Sequence, residues 1–277
     1  MLVKSDVEIE HAVAISLRED IGDGDITAEL IAADANVSAR VIARESAVIC
    51  GVGWVEEVYR QLGDAVSISW ALAEGDEVAA DEVVATLQGP ARALVTGERC
   101  ALNWLQTLSG TATVVRQYTS RLNSLHTALL DTRKTIPGLR YAQKYAVKCG
   151  GGKNHRMGLY DAYLIKENHI SSCGGIVQAV AKARLLHADK PVEVEVETMD
   201  ELAQALEARS DIIMLDNFDL AGMIAAVELN NGRAKLEVSG NVTLDDIDAI
   251  AKTGVDFISI GALTKHLRAV DFSMRII

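Results

Sequence analysis

Proline and cysteine are scarce in this chain, with three and four residues respectively in 277. So few prolines in a sequence without repeats exclude a collagen-like or proline-rich spacer, and nothing in the composition reads as low complexity. Cys50, Cys100, Cys149 and Cys173 form no C-x-x-C pair and have no histidines at zinc-finger spacing, so they read as reduced thiols of a cytoplasmic protein. No run of 18 apolar residues occurs, and the first 20 residues are broken by charges where a signal sequence would be continuously apolar. The expectation is a soluble, unexported protein with no membrane partner. Positive charge is in deficit: 39 acidic residues against 27 Lys and Arg leave a net charge of −12. General affinity for nucleic acid or an anionic membrane is thereby disfavoured, and an acidic ligand would need a local basic patch. What the chain does have is 49% hydrophobic residues, 24% charged residues and a mean hydropathy of +0.15. At this length roughly 75% of the unfolded surface can be buried, enough for one large domain or two modest ones without a metal or disulfide staple.

Ser5 with Glu8 has the spacing of a capping box and predicts a helix through about Glu19, ended by the glycines of DIGDGDIT. Asp20, Asp23 and Asp25 there do not make an EF-hand loop, because Thr27 and Ala28 stand where an acid or amide and a glycine belong. From Val37 to Gly89 the pattern is short and β-like, with turn signals at Gly75-Asp76 and Gly89-Pro90. Leu94, Ala101, Leu102, Leu105 and Leu108 then fall at helical spacing, placing Arg99 on a long helix that leaves this region. Beyond it, the apolar runs 128–131, 162–165, 192–196, 212–215, 236–238 and 257–260 alternate with helical stretches, the signature of βα units and a parallel sheet. Six strands fit an incomplete barrel or an open doubly wound sheet. The polar residues favour the barrel: Thr132-Arg133-Lys134, Lys166, Asp216, Ser239-Gly240-Asn241 and Gly261 each follow a strand, where barrels of this kind build active sites. The expected fold is α/β, with a smaller N-terminal α+β sandwich domain over 1–106 and an incomplete parallel α/β barrel over 107–277.

Between Asp131 and Lys166, eight basic residues face two acidic ones, a net +6 in a protein of −12. Arg140, Lys144 and Lys148 are four apart and read as a solvated helix face. Arg133, Lys134 and Lys166 abut apolar strands, where clustered cations call for an anionic ligand. In VEVEVE, Glu193, Glu195 and Glu197 share one strand face. Asp216 ends the following strand, so an acid from each of two neighbouring strands could hold a divalent cation or sugar hydroxyls. The turns at Ser239-Gly240-Asn241 and Gly261 offer backbone N–H groups to a phosphate. Gly150-Gly151-Gly152-Lys153 is no Walker A loop, since Asn154 replaces the Ser/Thr and Val147 stands where the first glycine belongs, and it reads as a flexible turn. His155 reads as a base or, beside Arg156, as a donor to a carboxylate.

The motifs DIGDGDIT, GERCALNWLQTLSGTAT, DTRKTIPGLR, GGKNHRMGLYDAYLIKENH, VEVEVE, IIMLDN, LEVSGNV and DFISIGALTKH occur in this order. From about residue 18 onward the chain resembles the quinolinate phosphoribosyltransferase family. The resemblance implies an enzyme of NAD biosynthesis that joins quinolinate to phosphoribosyl pyrophosphate, with Mg2+, giving nicotinate mononucleotide, pyrophosphate and CO2. It further implies that Arg99, Arg133, His155, Arg156 and Lys166 surround quinolinate, that Lys134 and Lys166 face the pyrophosphate, and that Thr132 is among the substrate-binding residues. Glu195 and Asp216 would hold the ribose hydroxyls and the metal; Ser239, Gly240, Asn241 and Gly261 would take the 5′-phosphate. Lys134, Lys166, Glu195 and Asp216 form the catalytic set on this reading. The family usually carries a glycine where this chain has Asn241. A homodimer is implied, alone or in a larger assembly of dimers, in which each small domain caps the neighbouring barrel and completes its site. The same architecture could serve another pyridine or pyrrole acid, and a catalytically silent binding protein is a third reading. Two carboxylates on the acceptor call for Arg99, Arg133, His155 and Arg156 together, and all four are present. Retention of Glu195 and Asp216 speaks against a silent protein.

Overall fold

The computed structural model describes residues 6–122 and 126–277. Ser5, half of the expected capping box, lies outside them. The chain divides into two compact units, one of residues 1–116, 141–151 and 266–277, the other of 117–140 and 152–265.

The first unit opens with helix α1 (Asp6–Ile21), which buries Ile9, Val13 and Leu17, residues four apart on one face. Strands β1 (Asn36–Ala43) and β2 (Ala47–Val48) follow, then helix α2 (Val52–Gln61), β3 (Ser67–Trp70), β4 (Glu77–Val78) and β5 (Val83–Pro90). The 32-residue helix α3 (Ala91–Leu122) begins directly at the end of β5. Helix α2 falls in the stretch that reads as β in sequence. Its apolar positions Trp54, Val55, Val58 and Tyr59 are buried, but its N-terminus has no local side-chain cap. Instead Glu74 accepts from the backbone N–H of Gly51 and of Val52 at 3.1 and 2.8 Å, satisfying orphan donors from 22 residues away in the chain.

The second unit takes in the end of α3, has β6 (Ala128–Leu130) as its first strand and is interrupted by helix α4 (Arg140–Cys149), most of which belongs to the first unit. It continues through β7 (Tyr163–Ile165), α5 (Glu167–Cys173), α6 (Ile176–Leu186), β8 (Val192–Val196), α7 (Met199–Glu207), β9 (Ile212–Asp216) and α8 (Leu220–Asn230). Strand β10 (Lys235–Ser239), α9 (Ile247–Ala251), β11 (Phe257–Ser259) and α10 (Ala262–Lys265) complete it. All six strands are parallel, in the order β6-β11-β10-β9-β8-β7. Each predicted run forms one of them. Val192, Val194 and Val196 are fully buried on the face opposite the glutamates, as a βα unit requires. Lys153 forms a further parallel bridge to Leu130, with its N–H donating to the Leu129 carbonyl at 2.8 Å. Gly150 and Gly151 form a turn, and the Lys153 that follows is tied to the edge strand β6. The architecture is an incomplete parallel barrel.

The chain ends in β12 (Phe272–Ile276), which pairs antiparallel with β1 and gives the first unit a four-stranded sheet of order β12-β1-β5-β3. The expected solvated face of α4 is not observed. Lys144 is fully buried and Arg140 half-buried, because the Arg140 guanidinium donates to Thr135 Oγ1 and the Met157 carbonyl, both at 3.2 Å.

Candidate active site

Strand register decides which side chains meet. Lys166 follows β7 level with Glu195, Glu195 pairs with Met214, Met214 with Glu237, and Asp216 with Ser239 and then Ser259. With a side-chain period of two, these residues together with Leu164 and Glu193 occupy one face of the sheet. At the C-terminal ends of the strands this face opens into a cavity of ≈ 330 Å³. Cations crowd one part of its wall (Arg133, Lys134, Arg156 and Lys166) beside the His155 ring, while Leu164 and Met214 supply apolar surface and Thr132, Ser239 and Ser259 supply hydroxyls.

The cations are held from behind. Asp131, fully buried, accepts from the backbone N–H of His155 at 2.9 Å and from Asn154 Nδ2 at 2.6 Å, which fixes the turn carrying His155 and Arg156. The N–H of Arg156 donates to His155 Nδ1 at 2.7 Å, so Nδ1 is an acceptor and the ring proton sits on Nε2. Nε2 lies 2.8 Å from Glu193 Oε2 and 3.8 Å from Glu237 Oε1. His155 is thus the carboxylate donor of the two sequence readings, with its base position engaged. Glu193 and Glu237 are buried at 2% and 0% exposure. Burial first, and then the charge of Glu193, push the Glu237 carboxyl up to about 8.

Arg156 donates through Nη1 to the Ala162 carbonyl at 3.2 Å. Its pKa is lowered by burial and by the neighbouring Arg133 guanidinium. The Nε atoms of both arginines are buried without a hydrogen-bond partner. Two desolvated guanidinium groups that repel each other and keep unused donors are arranged for an anion.

Lys166 Nζ is ion-paired to Glu195 Oε2. Asp216 accepts from Asn217 Nδ2 at 3.1 Å, and a Cβ on Gly240 would stand 3.6 Å from Asp216 Oδ1, so the turn after β10 passes close to this acid. Gly240 and Asn241 have φ of 106° and 29°, two successive left-handed residues that curve the backbone into a concave turn. Asparagine tolerates that region better than most side chains, which fits Asn241 at this position. At Gly261, a Cβ would sit 2.8 Å from Lys134 Cδ and 3.4 Å from Thr132 Oγ1, so glycine lets the turn after β11 lie against the cation loop.

Of the residues singled out in the sequence, Thr132, Arg133, Lys134, His155, Arg156, Lys166, Glu195 and Ser239 line the cavity, whereas Asp216, Gly240, Asn241 and Gly261 sit on the strand ends and turns beside it. Arg99 is exposed on α3 of the first unit and is not among the lining residues. Sequence reasoning assigned no role to Glu193, Asp131, Ser259 or Glu237. Period-two alternation within KLEVS would have placed Glu237 on the same face as Ser239.

Two family models match: the N-terminal domain of quinolinate phosphoribosyl transferase over residues 25–109 and its C-terminal domain over 111–275. A Bacillus subtilis protein named as a probable carboxylating nicotinate-nucleotide pyrophosphorylase is 41% identical over 257 residues, 92% of this chain and 89% of its own. A tobacco quinolinate phosphoribosyltransferase (decarboxylating) is 38% identical, with 97% of this chain and 82% of its own covered. The structure of the Francisella tularensis nicotinate-nucleotide pyrophosphorylase superposes with a TM-score of 0.97 at 50% identity, covering 99% of this chain and 98% of that one.

Proposed function

The chain belongs to the quinolinate phosphoribosyltransferase family, and from that premise we propose that its cation-lined cavity joins quinolinate to phosphoribosyl pyrophosphate. The products are nicotinate mononucleotide, pyrophosphate and CO2, a pentosyl transfer in NAD biosynthesis. The observation that carries this reading is the pair of half-buried arginines, Arg133 and Arg156, whose Nε donors are buried and unused. Quinolinate carries two adjacent carboxylates, and a dianion there relieves the mutual repulsion while supplying acceptors. His155, held by Glu193, presents its ring edge beside them.

Lys134 and Lys166 stabilise the departing pyrophosphate, and Glu195 and Asp216 hold the ribose hydroxyls. The turns at Ser239, Gly240, Asn241 and Gly261 receive the 5′-phosphate. The pyridine nitrogen forms its bond to C1′ as the bond from C1′ to the pyrophosphate oxygen breaks, through an oxocarbenium-like state that nearby carboxylates favour. The ring is then a pyridinium. It accepts the electron pair left at C2 when the bond to the C2 carboxyl breaks and CO2 leaves, and a proton from solvent completes C2–H, so no further organic cofactor is required. The carboxylates Glu195 and Asp216, one rung apart on the same sheet face, are hard oxygen donors of the kind Mg2+ takes when substrate oxygens complete its shell. Bound there, Mg2+ would neutralise charge on the diphosphate.

Arg99, exposed on α3, is assigned to quinolinate binding in a partner's site within a homodimer, or an assembly of such dimers, as the family resemblance implies. The four free cysteines agree with a cytoplasmic location, and no helix among the described residues is long and apolar enough to cross a membrane. Ultraviolet absorbance of quinolinate tests the reaction. It should fall only when phosphoribosyl pyrophosphate and Mg2+ are both present, and consumption without the donor would refute the transfer.

A further inference from the structure

Cys50, Glu74 and Cys149 converge within the first unit, with one ligand-type atom from each lying within 4.8 Å of the others. They come from three separate stretches of chain, and each is fixed by main-chain contacts. Cys50 is fully buried. Its N–H donates to Ser109 Oγ at 3.0 Å, and that hydroxyl donates back to the Cys50 carbonyl at 3.1 Å. Glu74 is half-buried and anchored by the N–H groups of Gly51 and Val52. Cys149 is half-buried at the end of α4, and the Arg116 guanidinium bridges the Gly75 and Gly150 carbonyls, at 3.1 and 3.3 Å, tying the Glu74 and Cys149 segments together. Both thiol-bearing segments are therefore held in place by groups other than the thiols.

We propose that Cys50, Glu74 and Cys149 form a binding site for a thiophilic divalent cation, zinc, separate from the substrate cavity. Three lines of argument support it. The donor set is two sulfurs and one carboxylate oxygen, which selects zinc over Mg2+. The geometry is close to what the ion needs. With Zn–S of about 2.3 Å and Zn–O of about 2.1 Å, tetrahedral coordination places sulfur and oxygen about 3.6 Å apart, and Cys149 Sγ lies 3.7 Å from Glu74 Oε2. The charge balances: the Cys149 S–H donates to the Glu74 carboxylate, and replacing the two thiol protons by one divalent cation leaves the cluster at −1. Two S–H bonds break, two Zn–S bonds and one Zn–O bond form, both protons leave to water, and nothing is oxidised or reduced. The exposed side of Cys149 and Glu74 is the entry path, and a water would fill the fourth position.

The test uses the whole purified protein with a phosphine reductant present, so that the thiols cannot oxidise. Titration with Co2+ should give a sulfur-to-cobalt absorption band in the near ultraviolet that saturates at one equivalent. Zn2+ should abolish it at stoichiometric amounts, and millimolar Mg2+ should leave it unchanged. Cys149→Ser, at the half-buried position, should remove most of the band and weaken Co2+ binding more than tenfold. Glu74→Gln, which still accepts the Gly51 and Val52 N–H bonds, should keep sulfur absorption but weaken binding. Zn2+ should raise the thermal midpoint of the wild type and not that of Cys149→Ser. Absence of the sulfur band, or equal binding by Cys149→Ser, would assign any bound metal to surface histidines and overturn the proposal.

Discussion

Arg133 and Arg156 owe their importance to what surrounds them, two half-buried guanidinium groups with buried, unused Nε donors and with each other as neighbours. Replacing either by Ala should remove a charge-assisted hydrogen bond worth about 1.5–3 kcal/mol, weakening quinolinate binding roughly 10- to 100-fold. Donor binding should change less. Calorimetry with each ligand separately checks this, and equal weakening of both would contradict the assignment. At the other side of the cavity, Asp216→Asn should lower turnover and raise the Mg2+ concentration needed for half-maximal rate, leaving quinolinate affinity nearly intact. An unchanged Mg2+ titration would remove Asp216 from the metal-binding role. Glu237 makes a prediction about pH. Burial, the Glu193 carboxylate and Asp131 raise its pKa to about 8, and His155 opposes the shift. An acid raised in the folded state binds its proton more tightly there than in the unfolded chain. Its contribution is therefore fully present below the ordinary glutamate pKa and is lost as pH rises through 8. Glu237→Gln mimics the protonated form, so wild type should lose stability relative to this variant between pH 5 and pH 9 in denaturant titrations. A pH-independent difference would mean that Glu237 stays ionised.

Among the elements, the six parallel strands were legible because each presents a short apolar or alternating apolar run beside a polar strand end, which survives in a single sequence. Helix α2 was not legible. Its N-terminal donors are satisfied by Glu74 across 22 residues, so no capping residue marks its start, and the preceding AVICGV run reads as strand. Strand β12 pairs with β1 over some 230 residues of separation, a contact no local pattern announces. The α4 basic stripe misled for the converse reason: four-residue spacing identifies a face, but only packing says whether that face meets solvent, and Lys144 is buried. The triple-glycine segment has a packing reason of its own. A Cβ at Gly150 would lie 2.5 Å from the Ala112 carbonyl oxygen and 2.6 Å from Val115 Cβ on α3. Gly150→Ala should therefore destabilise the protein by about 1–3 kcal/mol, the range for overpacking, seen as a lower denaturation midpoint at constant m-value.

For the whole molecule, the cation set of the site was legible as a charge imbalance, +6 within 36 residues of an acidic chain, because anion-binding groups here cluster in sequence. The buried layer beneath it was not, since Glu193 and Glu237 come from β8 and β10 and Asp131 from the residue after β6, and only the barrel brings them to His155. The assembly adds its own expectation. If Arg99 is supplied by the partner, mixing the inactive variants Arg99→Ala and Lys134→Ala under subunit exchange gives heterodimers with one doubly damaged and one intact site. Activity should return to about a quarter of wild type per total site at random exchange. No recovery despite demonstrated exchange would place Arg99 in its own chain's site.

The central claim is that one cavity both transfers the phosphoribosyl group and releases the acceptor's C2 carboxyl, and product analysis with quinolinate carrying 13C in that carboxyl tests it most directly. The account predicts one labelled CO2 for each nicotinate mononucleotide formed, with no label left in the nucleotide and no release in the absence of phosphoribosyl pyrophosphate. Label retained in a nucleotide product, or CO2 released without the donor, would contradict it.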